Sequence, residues 1–390
     1  MHPVLIVGAG PVGLTLAWRL ACAQLPVMVL EAEPAISDQL RASTFHPPTL
    51  DMFDAAGITA ELVAAGRITP QWQIRHHETG DRVVFDLAAI AGDTGHPYRL
   101  QCRQAVLSRA LLARLPAGTV RFSAHVDEVG QDHEGVSARI GEDTVRGSWL
   151  VGCDGARSVV RKAMGVSLEG QTYPEHTILA TTHLPFEDHL PGLCGVNYIW
   201  EPRGTYSLLR LPDVWRISLH PRAGETPQAA LEDSALRART AELLPDAPPV
   251  EIVEKRIYRV HRRIVDRYVA GRMVLAGDAA HLNSPKGGMG MNGGIHDAMN
   301  LADKLVAVAN GARAEPLLAA YERQRRPIAA DEILARADAN RARMNTTDPA
   351  RRAAHLAELK AIAAHPDRAR TFLLGSSMIA GLRRAAALAA

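Results

Sequence analysis

The chain has 390 residues, which is the length of two ordinary domains rather than of one compact core. Its 44 basic and 42 acidic side chains leave a net charge of +2, so bulk electrostatics gives no case for binding nucleic acid. The 4 cysteines lack paired spacing, which argues against a disulfide framework and a metal site. Without a leader-like start or an apolar run of ~18 residues, the chain is expected to be soluble, cytoplasmic and not bound to membranes.

The first thirty residues contain a β-α-β pattern with a glycine fingerprint. A short apolar run at 4–7 precedes Gly8, Gly10 and Gly13 in the spacing G-x-G-x-x-G; a helical pattern and a second apolar run ending at Glu31 follow. Such glycines let the backbone approach a pyrophosphate, and the helix N-terminus offers it free N–H groups. An acid ~20 residues later suits an adenosine ribose. The pattern predicts an adenine dinucleotide site, with a purely structural glycine-rich turn as the alternative.

The rest of the chain returns to this pattern only after a long interruption. Short alternating segments predict strands at 72–100, helical spacing follows at 101–115, and strands with Pro and Gly turns dominate 175–260. A buried strand then ends at Gly277-Asp278, and the pattern is mostly helical from Gly294 onward. We therefore expect an α/β fold with a discontinuous dinucleotide domain at 1–72, 98–174 and 260–330, a β-sheet substrate domain at 73–97 and 175–259, and a helical C-terminal segment at 331–390.

Three stretches taken together resemble the single-component, FAD-dependent aromatic hydroxylases of the p-hydroxybenzoate hydroxylase fold, the class A flavoprotein monooxygenases. They are Gly8–Gly13 with Glu31, CDGARSVVR at 153–161, and AGDAAHLNSPKGGMGMNGGIHDAMNLADKL at 276–305. The last two resemble that family's D-G and G-D motifs, and the resemblance spans roughly residues 3–330. It implies a Rossmann-like FAD-binding domain interrupted by a β-sheet substrate domain, without the thioredoxin-like third domain of the longer phenol hydroxylases.

The resemblance also assigns residues to FAD. Arg41 resembles the arginine on the loop that tracks the flavin, and Arg103 the one that reaches its ribityl–phosphate region. Asp154 is implied near the pyrophosphate, in reach of the reducing nicotinamide as well, and Asp278 at the ribityl chain. The implied FAD-binding set is Gly8, Gly10, Pro11, Val12, Gly13, Glu31, Ala32, Arg41, Arg103, Asp154, Gly277, Asp278, Pro285, Gly288, Gly290, Met291 and Asn292.

The glycine-rich loop at 287–290 is expected to face the flavin ring. Its glycines would let backbone N–H groups approach the isoalloxazine edge, and Met291 and Asn292 begin a helix whose positive end stabilises negative charge. A reduced flavin carries that charge at its N1–C2=O region, so the loop would act as preorganised donors aimed where charge develops. Pro285 would lie beside the ring on the substrate side.

The implied chemistry is oxygen transfer to an aromatic ring. In this family NADH or NADPH reduces FAD, O2 adds to the flavin, and the C4a-hydroperoxide hydroxylates a small phenol, hydroxybenzoate or hydroxypyridine. The chain has one fingerprint only, so the nicotinamide is expected to bind transiently. A flavin-dependent epoxidase, another oxidoreductase of the fold and a redox sensor without turnover remain alternatives. A halogenase is disfavoured because its W-x-W-x-I-P motif is absent. A homodimer is expected only because the resemblance to this family implies one.

Polar residues on the strands of 175–222 are candidates for the substrate site. Period-two alternation puts Tyr206 and Arg210 on one face of a strand, and Arg216 and His220 on one face of the next. A buried arginine suits a carboxylate, and a tyrosine or histidine suits deprotonation of a phenol. All of them facing solvent is the alternative. The catalytic candidates are Pro285, Tyr206, Arg210 and His220, with Tyr198, Arg216, His46 and His77 left open.

Lys286 departs from the family pattern, in which a smaller or apolar residue usually follows the proline. Its ammonium is hypothesised to add positive charge near the flavin or to hold a substrate carboxylate. The alternative is a solvated loop lysine.

Overall fold

The computed structural model describes residues 2–39, 41–222 and 224–388. The N-terminal part of the chain alternates short strands and helices. Its elements are β1 (Val4–Val7), α1 (Pro11–Cys22), β2 (Val27–Leu30), β3 (Thr44–Phe45), α2 (Pro47–Asp54), α3 (Ile58–Ala65), β4 (Arg67–Thr69), β5 (Gln71–His76), β6 (Arg82–Asp86), β7 (Arg99–Gln101), α4 (Gln104–Leu112), β8 (Val120–Arg121), β9 (Glu128–Gln131), β10 (Val136–Ile140), β11 (Asp143–Gly147), β12 (Trp149–Gly152) and α5 (Val159–Ala163).

The remainder is strand-rich at first and helical afterwards. The strand-rich part comprises β13 (Glu169–Thr182), α6 (Phe186–His189), β14 (Val196–Glu201), β15 (Gly204–Arg210), β16 (Trp215–Leu219), α7 (Pro227–Ala230), α8 (Asp233–Leu243), β17 (Glu254–Ile264), β18 (Val269–Ala270), β19 (Met273–Leu275) and β20 (His281–Leu282). The helical part comprises α9 (Gly290–Ala309), α10 (Ala314–Ile328), a π-helical turn (Ala329–Leu334), α11 (Ala335–Asn345), α12 (Pro349–Ala363), α13 (Pro366–Ser376) and α14 (Ile379–Ala387).

A six-stranded sheet in the order β18-β19-β12-β1-β2-β8 forms the nucleotide-binding part. Strand β1 pairs in parallel with both β2 and β12, and β12 pairs in parallel with β19. The apolar runs of β1, β12 and β19 are buried, as expected for a parallel sheet covered on both faces. Because parallel strands end at the same edge, the segments that follow Val7, Gly152 and Leu275 are neighbours at one carboxyl edge.

An eight-stranded sheet in the order β20-β17-β13-β16-β15-β14-β5-β6 forms the second part. Its pairs are antiparallel except β14 with β5, which run parallel. On one face, Tyr206 and Trp215 pack with Phe186 of α6 and with Leu236 and Leu243 of α8. The opposite face of this sheet is therefore the one available to pack against the nucleotide-binding part.

The C-terminal helices cover one end of the second sheet. Leu356 and Leu359 of α12 and Leu373 of α13 pack in one apolar cluster with Trp72 of β5 and Phe85 of β6. The segment is thus a cap on the sheet. None of the helices within the described ranges combines the length and apolarity that crossing a bilayer requires.

The domain limits predicted at 72, 174 and 259 each divide a strand of the second sheet. These strands are β5, β13 and β17, which begin at Gln71, Glu169 and Glu254. Strand β17 continues past 259 because its ladder with β13 extends to the pair Glu169–Ile264. A period-two pattern says that a segment is a strand but not to which sheet it pairs, so the limits could not be placed more closely. The two-domain division remains a proposal.

Candidate active site

The turn between β1 and α1 is packed so closely that only glycine fits at two positions. Gly8 has φ +102°, and a Cβ there would lie 2.6 Å from the Cys153 carbonyl oxygen; a Cβ on Gly13 would lie 2.0 Å from the Gly8 carbonyl oxygen. Around Gly10, by contrast, there is open space. Helix α1 begins with Pro11 and has no side-chain cap, so its first N–H groups stay free for a ligand. The turn fits a pyrophosphate over Gly10.

Glu31 ends β2 at the same edge. Its carboxylate accepts hydrogen bonds from the backbone N–H groups of Ala9 (2.6 Å) and Glu33 (2.9 Å). These bonds fix the acid beside the glycine turn, as the assignment to an adenosine ribose requires. Ala32, which follows it, is exposed at the rim.

Asp154 follows β12 and lies against the glycine turn, with its Cα 3.2 Å from the position of a Cβ on Gly8. One carboxylate oxygen accepts from the Val159 N–H at 2.7 Å, whereas the other is buried and has no hydrogen-bond partner within the described ranges. Burial raises the pKa of this carboxyl. A buried acceptor without a protein donor fits a ligand that brings its own hydroxyl or N–H group.

A buried ion pair fixes the segment that follows Leu275, the third segment at the carboxyl edge of the six-stranded sheet. Gly277 has φ +62°, is packed against Val12 and donates its N–H to Asp297 at 3.1 Å. Asp297 also binds Arg325 (2.7 Å) and His281 (2.8 Å). Burial opposes ionisation, but these neighbours prevail and lower the pKa of Asp297 to about 2. The sequence reasoning missed Asp297; its place in the motif GGIHDAMN was the available signal.

The remaining charged residues assigned to FAD lie around this edge. Asp278 follows Gly277 and is exposed. Arg41 is exposed, and its carbonyl accepts a 3.2 Å hydrogen bond from Arg216. Arg103 lies just before α4 and pairs with Glu254 of the second sheet at 3.3 Å. Asp278 and Arg41 therefore remain open to a ligand, whereas Arg103 is already paired with an acid of the second sheet.

The glycine-rich loop before α9 also needs its glycines. Gly287 and Gly288 have φ +104° and +69°, and a Cβ on Gly288 would lie 3.0 Å from Thr44. A Cβ on Gly290 would lie 2.7 Å from the side-chain oxygen of Asn283. Helix α9 starts without a side-chain cap, so its first N–H groups are free to bind an anion. This geometry fits the charge of a reduced flavin.

Asn292 holds this loop in place with its side chain. Its oxygen accepts from the His46 N–H at 2.9 Å, and its amide donates to the carbonyls of Thr44 (2.9 Å) and Gly288 (2.8 Å). The side chain is thus a tether, and only the backbone at Met291 and Asn292 is left to face a cofactor.

A cavity lies between this loop and the second sheet. Every second residue of the strands faces the cavity. The cross-strand pairs Tyr198–Ser207 and Ser207–Ser218 place these residues on one face of the sheet. The charged and aromatic residues that line it, together with the proline of the loop, are Arg99, Tyr198, Arg216, Tyr258, Pro285 and Lys286.

Tyr206 and Arg210 do not line this cavity. This corrects the prediction that their face of the strand meets the substrate. The Tyr206 hydroxyl donates to the Arg239 carbonyl at 3.2 Å, under helix α8. Arg210 lies over the ring of Trp215, 5.7 Å from its centre. The alternation of the strand was predicted correctly, but period two does not tell which face is covered by helices.

The histidine candidates are separated from one another. His220 borders a neighbouring cleft and binds the His176 carbonyl through Nδ1 at 2.8 Å. Burial and the charge of Lys286 lower its pKa to about 4. His46 is buried, and its Nε2–H donates to the Gly287 carbonyl at 2.8 Å. His77 follows β5 and lies away from the cavity.

The structure adds two residues that the sequence reasoning missed. Arg99 of β7 is 3% exposed and lies over the ring of Trp72, 5.0 Å from its centre. Tyr258 of β17 lines the same cavity. Strand β7 has three residues, too few for a period-two signal, and Tyr258 lies in a strand where polar residues dominate.

Lys286 is 5% exposed, so the alternative of a solvated loop lysine is excluded.

Comparison with known proteins identifies the class to which this site belongs. The family model of the FAD binding domain matches residues 1–336. Para-nitrophenol 4-monooxygenase of Pseudomonas sp. strain WBC-3 is 34% identical over 97% of this chain and 96% of its own length. 6-Hydroxy-3-succinoylpyridine 3-monooxygenase of Pseudomonas putida strain S16 is 35% identical over 83% of this chain and 84% of its own. The crystal structure of p-nitrophenol 4-monooxygenase from Pseudomonas putida DLL-E4 superposes with a TM-score of 0.90, at 30% identity and 98% coverage of both chains.

The chain belongs to this FAD-binding family. Its fold is that of the FAD-dependent hydroxylases, FAD is its cofactor, and it is an aromatic monooxygenase by class. The predicted family, fold class, cofactor and enzyme class are thereby confirmed.

Proposed function

We propose that this protein uses NADH or NADPH and O2 to hydroxylate a small phenol- or hydroxypyridine-type ring on bound FAD. The observation that carries the proposal is the cavity between the glycine-rich loop and the second sheet, whose lining includes three cationic and two phenolic side chains. The two curated relatives described above support it, because both substrates that they are named for are rings with a hydroxyl group.

The residues of the carboxyl edge would hold the cofactor. Gly10 and the start of α1 receive the pyrophosphate, Glu31 the adenosine ribose, and Asp154 and Asp278 the more distal parts of the molecule. When bound, FAD supplies the reductive activation of O2. The free N–H groups at the start of α9 are preorganised donors for the negative charge of the reduced ring.

The cavity residues would prepare the substrate. Burial raises the pKa of the Tyr258 hydroxyl, so it stays protonated near neutral pH and donates a hydrogen bond to a substrate oxygen. The positive charges of Arg99 and Arg216 favour the ionised form of a ring hydroxyl nearby. An ionised hydroxyl donates electron density to the ring and makes its carbon atoms more nucleophilic toward an electrophilic oxygen. The enclosure between sheet and loop keeps water away from the reacting atoms.

The test uses purified, FAD-loaded protein and a panel of phenols, hydroxybenzoates and hydroxypyridines. At least one compound is expected to stimulate NADH or NADPH oxidation together with O2 uptake, and to yield a product one oxygen atom heavier. Stimulation without oxygen transfer would make the protein an oxidase of its nicotinamide. Absence of stimulation by every compound would favour the redox sensor without turnover.

We also retain the homodimer as a proposal. Light scattering of the FAD-loaded protein measures the mass of the assembly directly, and a mass equal to one chain contradicts it.

A further inference from the structure

Lys286 is a buried cation whose ammonium has no partner among the residues that the structure describes. It lies in the loop between β20 and α9, is 5% exposed, and its Nζ is buried without a hydrogen-bond acceptor. The ammonium lines the cavity beside Pro285 and Gly287 of the glycine-rich loop. No ion pair within the described ranges includes it. Its position is therefore open only to a molecule that enters the cavity.

The groups that face Lys286 add positive charge and no acid. Arg99 comes from β7 and Arg216 from β16, and neither forms an ion pair among the described residues. Burial lowers the pKa of His46 to about 3 and that of His220 to about 4, so both imidazoles are neutral at neutral pH. The remaining ionisable groups of the cavity wall are the hydroxyls of Tyr198 and Tyr258.

An acid borders the neighbouring cleft but does not line this cavity, and one of its two carboxylate oxygens is engaged within the protein. Glu175 of β13 accepts from Arg341 at 2.6 Å and from Asn345 at 3.1 Å. The cavity consequently holds an excess of positive charge.

Such an arrangement is costly unless a ligand compensates it. Burying an ammonium without a counter-ion or acceptor costs several kcal/mol, and an apolar side chain of similar length would fill the same space without that cost. Burial lowers the pKa of Lys286 to about 8, so the group is still mostly protonated near neutral pH. An anionic group on the substrate would restore both the charge balance and the missing acceptor.

We propose that Lys286 is the counter-ion for an anionic oxygen group of the aromatic substrate, so that this enzyme selects anionic rings over neutral ones. The inference rests on the proposed hydroxylase function and deepens it. The oxygen group is a carboxylate or an ionised ring hydroxyl, which share the chemistry that Lys286 recognises. Lys286 is thus a specificity-determining residue for the substrate.

The experiment measures dissociation constants of matched ligands for the FAD-loaded protein at about pH 7.5, by calorimetry and by perturbation of the flavin spectrum. The carboxylate arm compares 4-hydroxybenzoate with 4-hydroxybenzamide, and the phenolate arm compares p-nitrophenol with 4-nitroanisole. For Lys286→Met, we expect the anion to lose at least ~10-fold in affinity in one arm or both, with the neutral partner unchanged within about twofold. Lys286→Arg is expected to restore most of the preference, and Lys162→Met, which removes an exposed lysine, should leave it unchanged.

Three results with Lys286→Met would overturn the inference. In the first, Lys286→Met preserves the preference for the anion in both arms. In the second, it weakens anionic and neutral ligands equally, which is the signature of a packing defect. In the third, it lowers the reduction potential of ligand-free FAD and leaves ligand selection intact, which makes the flavin the partner of Lys286. Turnover of neutral phenols with no preference for anions overturns the inference alone, whereas oxygen transfer to none of the compounds overturns the proposed function.

Discussion

The side-chain oxygen of Asn292 accepts a 2.9 Å hydrogen bond from the backbone N–H of His46, which is 246 residues away in the sequence. The same side chain holds the carbonyls of Thr44 and Gly288. One buried amide thus fixes the start of α9, the glycine-rich loop and the segment before α2 relative to one another.

Replacing Asn292 with alanine should loosen the FAD site and destabilise the fold. The substitution leaves one buried N–H and two buried carbonyls without partners, each at a cost of about 1–3 kcal/mol. We expect the free energy of unfolding to fall by about 2–4 kcal/mol and FAD to dissociate more readily, as measured by urea denaturation and by flavin fluorescence on dilution. Asn310→Ala, at the exposed end of the same helix, is the matched control. Unchanged FAD retention in Asn292→Ala would contradict the tether.

Two glycines of the fingerprint should behave differently when each is replaced by alanine. A Cβ on Gly13 would lie 2.0 Å from the Gly8 carbonyl oxygen, so Gly13→Ala must push α1 away from β1 and should destabilise the apoprotein by about 3 kcal/mol. Around Gly10 there is space in the protein alone, so Gly10→Ala should fold with unfolding energy changed by less than about 1 kcal/mol and still bind FAD more weakly. Denaturation and FAD titration of both variants separate the two effects. If Gly10→Ala binds FAD normally, the pyrophosphate lies elsewhere.

Tyr206 and Tyr258, on opposite faces of the second sheet, offer a test of the assigned substrate face. Tyr206→Phe removes a hydrogen bond to the Arg239 carbonyl on the helix-covered face and should cost about 1 kcal/mol in stability, with KM and kcat unchanged. Tyr258→Phe removes a donor from the cavity wall and should raise the substrate KM or lower kcat by at least ~5-fold, with little change in stability. Steady-state kinetics and thermal unfolding measure both. The reverse pattern would place the substrate on the other face.

Lys286 should give the stability of the protein a distinct dependence on pH. Its pKa is about 8 in the folded protein against an ordinary value of 10.5, so between these values the unfolded state holds the proton and the folded state does not. Stability therefore rises with pH through this window, by about 3 kcal/mol in all. We expect wild type to gain this amount relative to Lys286→Met between about pH 7.5 and pH 10.5, in ligand-free protein unfolded by urea. Parallel curves for the two proteins would show that the ammonium is not desolvated.

The local patterns of the sequence were sufficient for an adenine dinucleotide site and the class of fold, and the family resemblance carried by three motifs implied FAD. Short-range requirements of the backbone, such as a tight turn or a free helix end, are encoded locally. They are visible in the glycine spacing at Gly8–Gly13, the acid at Glu31 and the motif after Gly277. Such requirements can be read without knowing the neighbours. The same is true of strand alternation in β15 and β16, which was predicted with the correct period.

The substrate side was decided by the tertiary structure. Residues i and i+2 share a face of a strand, but whether that face meets helix α8 or the glycine-rich loop depends on packing between distant segments, and so Tyr206 and Arg210 were assigned to the wrong side. The burial of Lys286, the approach of Arg99 from a three-residue strand and the anchoring role of Asp297 all arise from contacts between segments far apart in the chain. No local pattern encodes such contacts, because each is created only when the sheets come together.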